Sequence, residues 1–431
     1  MSTVNFQTSE YAIPVVSTKE FEEEIKLNVQ YAMATGRWDK IAPLYGHGSP
    51  GIGKSALAES AVRIVEEITG EKAVLSILDA PQIEHTEAGY VVADINSADT
   101  EFPEAKFFRN SKYPHPESES IHVFVIEELS SASPSQQVIL HPVLLDRRLG
   151  PNKLPKRTII FVLGNLVSDK GHVIDIMSPV ANRCKHMIVT PDLDRWLAVA
   201  MENGIDPEIT AFHRSNRGSR LAVSDMKAYG KGNYAFFSPR AWFAAHESLA
   251  ARKMFDKEIT TATLQGHVGA TAAIDFIAYR DTIKDAPTLD KIFEAKENEL
   301  AALVPATSSD TEANARNLGL TYYLIDSLSQ YMVANNPDMF PTSADANNSE
   351  NKKSRERNAH IWKQSLLFMK EIAAVWGNSI AVIGIINIRS KNSSLLGCVA
   401  RFGTPDIVAW LGSGSTATIE EYKVLKNMLL A

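Results

Sequence analysis

The stretch that decides the fold is Gly48-Ser-Pro-Gly-Ile-Gly53-Lys54-Ser55, which fits the pattern G-x-x-x-x-G-K-S in full. An apolar segment, Ile41–Tyr45, precedes this glycine loop, and a segment with helical periodicity, Ala56–Thr69, follows it. In that context backbone N–H groups curl around phosphates and the helix N-terminus adds partial positive charge. A chance glycine-rich turn is the alternative, and it does not require either flank.

We therefore expect the glycine loop to bind a nucleoside triphosphate, ATP with Mg²⁺. Lys54 is expected to reach the β- and γ-phosphates, and the Ser55 hydroxyl to coordinate the magnesium ion. The predicted nucleotide-binding residues are Gly48, Ser49, Pro50, Gly51, Ile52, Gly53, Lys54 and Ser55.

A second apolar run, His122–Ile126, ends in two acidic residues, Glu127 and Glu128. A triphosphate site needs a carboxylate for its metal at the end of a neighbouring strand, and Glu127 supplies one, although the pattern more often has Asp there. Glu128 is placed to polarise the attacking water, a general-base role. The alternative is that both acids simply end a strand at the surface.

Short apolar runs alternate with amphipathic or loop segments in the first part of the chain. Continuous apolar strands separated by helices predict a parallel sheet buried on both faces, in an α/β unit that closes near Pro191. The expected strands are Ile41–Tyr45, Ala73–Leu78, Ile121–Ile126, Thr158–Leu163 and His186–Thr190. Ser17-Thr18-Lys19-Glu20 predicts a capping box for a helix that ends at Gly36.

The rest of the chain is expected to be mainly helical. We predict an α/β core over residues 1–191, a helical segment over 192–253 and a mostly helical C-terminal region over 254–431. The polar stretch 341–358 predicts a mobile loop. The pattern from Ser379 onward is mixed and gives no single prediction.

Composition narrows the class of protein. The chain has 431 residues, 45% hydrophobic and 22% charged, which is typical of globular proteins with more than one domain. Its net charge of −7 gives no general attraction to nucleic acid or anionic lipid. Two distant cysteines, no secretory signal and no bilayer-length apolar run favour a cytoplasmic protein without membrane contact. The histidines lack metal-ligand spacing, and His47 is interpreted as a variable loop position.

Taken together, these motifs resemble the MoxR-like branch of the AAA+ ATPases. The resemblance covers about residues 14 to 335, with the remainder only loosely similar. It rests on the segments GHGSPGIGKS, VFVIEELSSAS, LLDRRLGPNKLPKRTIIFVLGN, SPVANRCKHMIVTPDLDRW, NGIDPEITAFHR and FFSPRAW, and more weakly on GHVGATAAIDFIA. It implies the strand order 5-1-4-3-2 and a helical lid after the core.

The resemblance also implies roles for residues beyond the glycine loop. Asn165 matches the sensor 1 residue, Arg183 the arginine finger that reaches a neighbouring subunit, and Arg240 the sensor 2 arginine of the lid. For each, an ordinary structural role is the alternative. Arg147 and Arg148 lie near the subunit boundary in such folds, where either a second contact in trans or surface pairing is open.

The function implied is ATP hydrolysis at sites shared between subunits of a homo-oligomeric ring, expected to be hexameric. The work would remodel or chaperone a partner protein, in this branch often one with a von Willebrand factor A-type domain. A nucleic-acid motor or loader is an alternative, although the acidic stretch 82–99 with Tyr90 suits a polypeptide better. A nucleotide-gated scaffold with weak hydrolysis is a third possibility, which the Glu127 departure keeps open.

Overall fold

The structure is a computed structural model of the chain. It describes residues 13–84, 90–94, 105–108, 110, 113–166, 176–223, 234–336, 349–391, 395, 398, 399 and 402. The described residues form two compact units. The first contains those up to Asp192, Val223 and Ser238–Arg240, and the second contains Leu193–Ala222, Tyr234–Phe237 and those from Ala241 onward.

The strands of the described chain all lie in the first unit. They are β1 (Val15–Ser17), β2 (Leu44–His47), β3 (Ala73–Asp79), β4 (Tyr90–Ala93), β5 (Ala105–Phe108), β6 (Ile121–Glu127), β7 (Arg148–Leu149), β8 (Asn152–Lys153), β9 (Thr158–Gly164) and β10 (Lys185–Thr190). β4 pairs with β5 and β7 with β8 in antiparallel hairpins, and the other strands form one parallel sheet. Apart from β4 and a few flanking residues, the stretch 82–99 lies outside the described residues.

The helices are α1 (Thr18–Thr35), α2 (Lys54–Thr69), α3 (Pro134–Asp146), α4 (Ser178–Ala181), α5 (Leu193–Glu202), α6 (Pro207–Ser215), α7 (Pro239–Met254), α8 (Thr261–Val268), α9 (Ala270–Ile283), α10 (Leu289–Glu294), α11 (Leu300–Leu303), α12 (Thr311–Ala334), α13 (Ser349–Trp376) and α14 (Asn378–Lys391). The predicted capping box of α1 is confirmed, because Ser17 Oγ accepts from the N–H of Glu20 and the Glu20 carboxylate accepts from the N–H of Ser17. The Ser17 N–H and the Ser17 hydroxyl both donate to the Glu20 carboxylate, and they hold its pKa below the usual value.

The parallel sheet has the order β1-β10-β2-β9-β6-β3. The five predicted strands, which are β2, β3, β6, β9 and β10, therefore follow the expected order 5-1-4-3-2. The sheet differs in detail by a sixth strand, β1, which pairs with β10 at the edge. The predicted start of β2 at Ile41 is wrong, because Ile41 closes a 3₁₀ turn and Pro43 has no N–H for the ladder.

Both faces of the sheet are covered. β9 is buried throughout, and β6 is buried except at Glu127. Because side chains alternate along a strand, Val123 and Val125 pack against α1 and α2, whereas Phe124 and Ile126 pack against α3. The sheet is thus the middle layer of an α/β core, as the continuous apolar runs predict.

The second unit is helical and has two apolar clusters. One joins α5, α6 and α7 to α8 and α9 around Trp196, Trp242 and Phe276, so it spans the predicted boundary at residue 253. The other joins α10, α12, α13 and α14 around Trp362 and Phe368. The division into lid and C-terminal region stays a prediction.

The prediction of a mobile loop over 341–358 is wrong for its second half. Residues 349–358 form the first turns of α13, where Lys352, Lys353 and Glu356 are exposed while Asn358 is buried. One-sided burial of this kind allows a highly polar sequence to be helical. Residues 341–348 lie outside the described residues. The mixed pattern after Ser379 begins as α14.

None of the helices in the described ranges is long and apolar enough to cross a membrane.

Candidate functional site

The glycine loop connects the carboxyl end of β2 to the start of α2. Gly51 and Gly53 have φ values of 82° and 99°, which residues with a side chain rarely adopt. A Cβ at Gly51 would also lie 2.6 Å from the Ser238 Oγ. The N–H of Gly48 donates to the carbonyl of Gly164 at 3.0 Å, which fixes the root of the loop to β9. The glycines are therefore required by the path of the loop.

The amino terminus of α2 opens into this loop. Gly53 occupies the N-cap position and has no side chain with which to cap the helix. The N–H groups of a first helical turn lack partners within the helix and carry the positive end of its dipole. An anion such as a phosphate group would satisfy them.

Lys54 is the centre of a hydrogen-bond network. Its ammonium donates to the carbonyls of Gly48 at 2.7 Å and Ser49 at 3.2 Å, and to Asn165 Oδ1 at 2.7 Å. Asn165 follows the end of β9, which lies beside β2 in the sheet. The parallel topology thus brings the predicted lysine and the predicted sensor residue together.

Asn165 also contacts Glu128. Its Nδ2 donates to Glu128 Oε2 at 2.6 Å. This orientation of the amide follows from its partners, because an ammonium only donates and a carboxylate only accepts. Ser130 holds the N–H of Asn165 at 2.8 Å, and Ser131 donates to Glu128 Oε2 at 3.2 Å. A continuous chain therefore runs from Lys54 through Asn165 to Glu128.

Glu128 has a left-handed backbone, with φ 56° and ψ 34°. This region costs about 1–2 kcal/mol for a residue with a Cβ. The conformation turns the chain directly after β6, where the carboxylate accepts from Asn165. Strained backbone of this kind occurs most often at functional sites.

Glu127 and Ser55 line the same cleft and fit a magnesium ion. Glu127 Oε1 is buried and has no hydrogen-bond partner among the described residues. A buried carboxylate oxygen is costly unless it is paired, and a divalent cation would pair it. Mg²⁺ prefers oxygen ligands and commonly uses one carboxylate, a hydroxyl and phosphate oxygens. The residues present therefore fit the ion that the glycine loop implies.

Arg240 lies at the same cleft. The lining residues are Pro50, Gly51, Lys54, Ser55, Glu127, Glu128, Leu163, Asn165 and Arg240. The N–H of Arg240 donates to the carbonyl of Gly51 at 3.1 Å, and the residue is exposed and belongs to the first unit. The structure thus places the predicted sensor 2 arginine beside the glycine loop.

Arg183 does not line this cleft. It follows α4, and its Nη1 donates to the Pro179 carbonyl of that helix. Its Nε is buried without a partner in the described part of the chain. The structure therefore separates Arg183 from the other predicted site residues of its own chain.

The adjacent arginines Arg147 and Arg148 have different environments. Arg147 donates to the carbonyls of Thr158 at 2.6 Å and Ile41 at 2.9 Å, and burial lowers the pKa of its guanidinium. These bonds hold its guanidinium against its own chain. Arg148 is more exposed and forms an ion pair with Asp146 at 3.3 Å.

The interpretation of His47 as a variable loop position is wrong, because His47 is the buried last residue of β2. Its Nε2 lies 2.8 Å from His186 Nδ1, and its ring stacks on Tyr45 at 3.9 Å. The sequence signal for this pair is weak, since two histidines 139 positions apart share no motif. Ser130 and Ser131 were missed as well, although their place just after Glu128 offered a signal.

A larger cavity of about 590 Å³ lies in the second unit, between α6, α9 and α12. Both oxygens of its buried carboxylate, Glu208, are already paired, one with Lys253 at 2.9 Å and one with Arg280 at 2.5 Å. The carboxylate of this cavity is therefore already paired, unlike the buried Glu127 oxygen at the glycine loop.

Comparison with models of known protein families gives no match. Comparison with curated protein sequences gives none either. Similar solved structures include a point mutant of Thermotoga maritima RuvB, with 10% identity, a TM-score of 0.32, and coverage of 69% of this chain and 85% of that chain.

Two other similar structures are complexes with different partners. One is the Aeropyrum pernix ORC1 protein in complex with DNA, with 13% identity, a TM-score of 0.33, and coverage of 72% and 79% of the two chains. The other is a closed state of Hsp104 with ATPγS and FITC casein, with 15% identity, a TM-score of 0.33, and coverage of 56% and 46%. Similarity at this level supports no functional statement, so the fold class rests on the chain's own sheet and glycine loop.

Proposed function

We propose that this chain is an AAA+ ATPase that hydrolyses ATP at the glycine loop. The observation that carries the proposal is the hydrogen-bonded chain from Lys54 through Asn165 to Glu128. It ends at Glu128, which lines a cleft together with Ser55 and the unpaired Glu127 oxygen. These are the groups that phosphoryl transfer to water needs, namely a phosphate-binding cation, a metal-binding pair and a base.

Glu128 has the central role in this chemistry. Its carboxylate orients the attacking water and accepts the proton that the water loses as its oxygen bonds to the γ-phosphorus. The bond from that phosphorus to the β–γ bridging oxygen breaks in the same step, and ADP leaves. Lys54 binds the phosphate oxygens. Asn165 bonds to both the Lys54 ammonium and the Glu128 carboxylate and so fixes their relative position. Ser55 and Glu127 would hold Mg²⁺, which supplies neutralisation of phosphate charge.

The position of Arg183 supports an oligomeric ring. Since Arg183 lies outside the cleft of its own chain, its guanidinium can act on the γ-phosphate only in a neighbouring subunit. Arginine suits this role because it stays charged and its planar fork matches the spread charge of the transferred group. We therefore propose a homo-oligomer whose sites lie between subunits, with six subunits as the resemblance implies. Arg240 would link nucleotide binding to movement of the helical unit.

The finer assignment follows from the motif resemblance. It is a cytoplasmic MoxR-like ATPase that remodels or chaperones a partner protein, with a von Willebrand factor A-type domain as the partner that this branch implies. The acidic net charge supports a protein client over nucleic acid.

The decisive experiment compares ATP turnover of the wild type, Glu128→Gln and a matched control, Glu119→Gln, whose exposed carboxylate lies just before β6. Glu128→Gln keeps the side-chain size but removes the base, so turnover should fall about 100-fold. ATP binding should persist, and the control should behave as wild type. A wild type no faster than Glu128→Gln would replace hydrolysis with a nucleotide-gated scaffold. A several-fold stimulation by single-stranded DNA would favour a nucleic-acid motor.

A further inference from the structure

Two histidines connect neighbouring strands beneath the glycine loop. His47 is the last residue of β2, and His186 is the second residue of β10, directly opposite Tyr45 in the register. Their ring nitrogens, His47 Nε2 and His186 Nδ1, lie 2.8 Å apart. Stacking of Tyr45 on His47, with the ring planes 14° apart, holds this geometry. Neither residue belongs to the ATP-binding groups assigned above.

The second nitrogen of His186 extends the connection. His186 Nε2 lies 2.7 Å from the carbonyl oxygen of Ala181. A carbonyl only accepts, so Nε2 carries the proton, and in the neutral ring Nδ1 is then an acceptor. His47 must therefore donate from its Nε2. Burial, followed by the neighbouring His186 and Lys54, lowers the pKa of His47 to about 3, which keeps its ring neutral near pH 7.

The described residues provide no metal centre for this pair. No group of three histidine, cysteine or acidic residues that could hold a metal ion occurs in the described ranges. Burial raises the pKa of the nearby Cys184 thiol to about 12, so it stays protonated and is a poor ligand. The contribution of the two histidines is therefore structural, through the hydrogen bonds that join His47 to His186 and His186 to Ala181.

The carbonyl that His186 holds is the end of α4. This helix has only four residues, so it depends on contacts from outside. At its start, Gln137 Oε1 accepts from the N–H of Met177 at 2.9 Å. At its end, Ala181 is anchored by His186, and Arg183 follows two residues later. The last turn before Arg183 is thus tied to β2, the strand that leads into the glycine loop.

We infer that His47 and His186 are positioning residues that set Arg183 for its action in the neighbouring subunit. The inference rests on the proposed function and adds two residues that no motif assigns. The physical reason is geometric. A guanidinium that must meet the γ-phosphate of another subunit has to start from a fixed backbone position. Misplacement by about 1 Å costs up to about 100-fold in rate.

The test uses mixed rings of two inactive variants. Lys54→Ala cannot hold ATP but still supplies Arg183, whereas Arg183→Ala holds ATP but supplies no guanidinium. Activity on mixing arises only where an Arg183→Ala subunit binds ATP beside a Lys54→Ala subunit. His186→Asn, whose shorter amide cannot reach Ala181, is then added to one variant or to the other.

We expect a loss of about tenfold when His186→Asn is in the Lys54→Ala subunit, and of less than about twofold when it is in the Arg183→Ala subunit. His186→Gln should restore most of the activity, because its amide nitrogen can occupy the position of Nε2 and donate to Ala181. In each background the histidine variants should assemble as their parent does, and in the Arg183→Ala background the ATP affinity should be unchanged. His47→Phe, which keeps the ring stack but lacks the donor, repeats the test if His186→Asn does not assemble.

The outcomes distinguish the positioning role of the two histidines from the trans role of Arg183. Equal losses in both subunits, or no loss in either, would overturn the positioning role while leaving the ATPase proposal standing. Failure of the two parent variants to regain activity on mixing would overturn the trans role of Arg183, and the positioning role with it.

Discussion

Replacing Asn165 by alanine removes the amide that joins Lys54 to Glu128. The substitution deletes an acceptor 2.7 Å from the ammonium and a donor 2.6 Å from the carboxylate. Lys54 keeps its bonds to the carbonyls of Gly48 and Ser49, so its position changes little. Glu128 keeps only the longer bond from Ser131 at 3.2 Å. The carboxylate is therefore the group that loses its orientation.

The size of the effect follows from these contacts. A hydrogen bond to a charged group contributes about 1.5–3 kcal/mol. If that free energy is lost at the transition state, turnover falls about 10- to 150-fold. ATP affinity should change by less than about threefold, because binding to the lysine and the loop is retained.

The assay is steady-state phosphate release, with ATP affinity measured separately by titration. Asn203→Ala is the matched control, since that amide is exposed in the turn after α5 and bonds only locally to Val199. Asn165→Asp sharpens the result, because it keeps an acceptor for Lys54 but offers no donor to Glu128, and it should be at least as slow. Turnover of Asn165→Ala within about twofold of wild type would refute the relay, and a slow alanine variant beside a normal aspartate variant would place the effect on Lys54.

Two other outcomes are expected. Lys54→Ala should abolish tight ATP binding without changing the fold, measured by titration and circular dichroism; retained micromolar affinity contradicts the assigned role. His213 is buried among Trp196 and Trp242 with no hydrogen-bond partner in the described chain, and burial lowers its pKa to about 3. Its folded pKa lies below the unfolded value of about 6.5, so the stability it contributes is present above that pH and is lost as pH falls toward 3. His213→Phe should reduce the pH dependence of the free energy of unfolding between pH 6.5 and 3. The substitution His115→Phe, at an exposed histidine, should leave that dependence unchanged.

Much of the site could be predicted because parallel strands place their carboxyl ends at one edge. Glu128 and Asn165 each follow an apolar run, and once those runs are parallel neighbours their side chains must converge beside the glycine loop. The start of β2 was predicted too early because hydrophobicity alone does not register the missing N–H of Pro43. The helical start of α13 was missed for the converse reason, since a polar sequence can be helical when a few residues such as Asn358 are buried against other helices.

Arg147 and Arg148 show why the remaining roles depend on three-dimensional context. In the sequence they are equivalent neighbours, and either could reach another subunit. In the structure Arg147 ends α3 in a left-handed conformation with φ 52°, which turns its guanidinium inward onto two backbone carbonyls. A buried cation bound in this way cannot also serve a neighbouring site, because leaving those carbonyls unpaired would cost the desolvation of each. In the proposed ring, a second contact in trans from this pair must therefore come from Arg148, and it would have to displace the exposed Asp146, whose ion pair is weak.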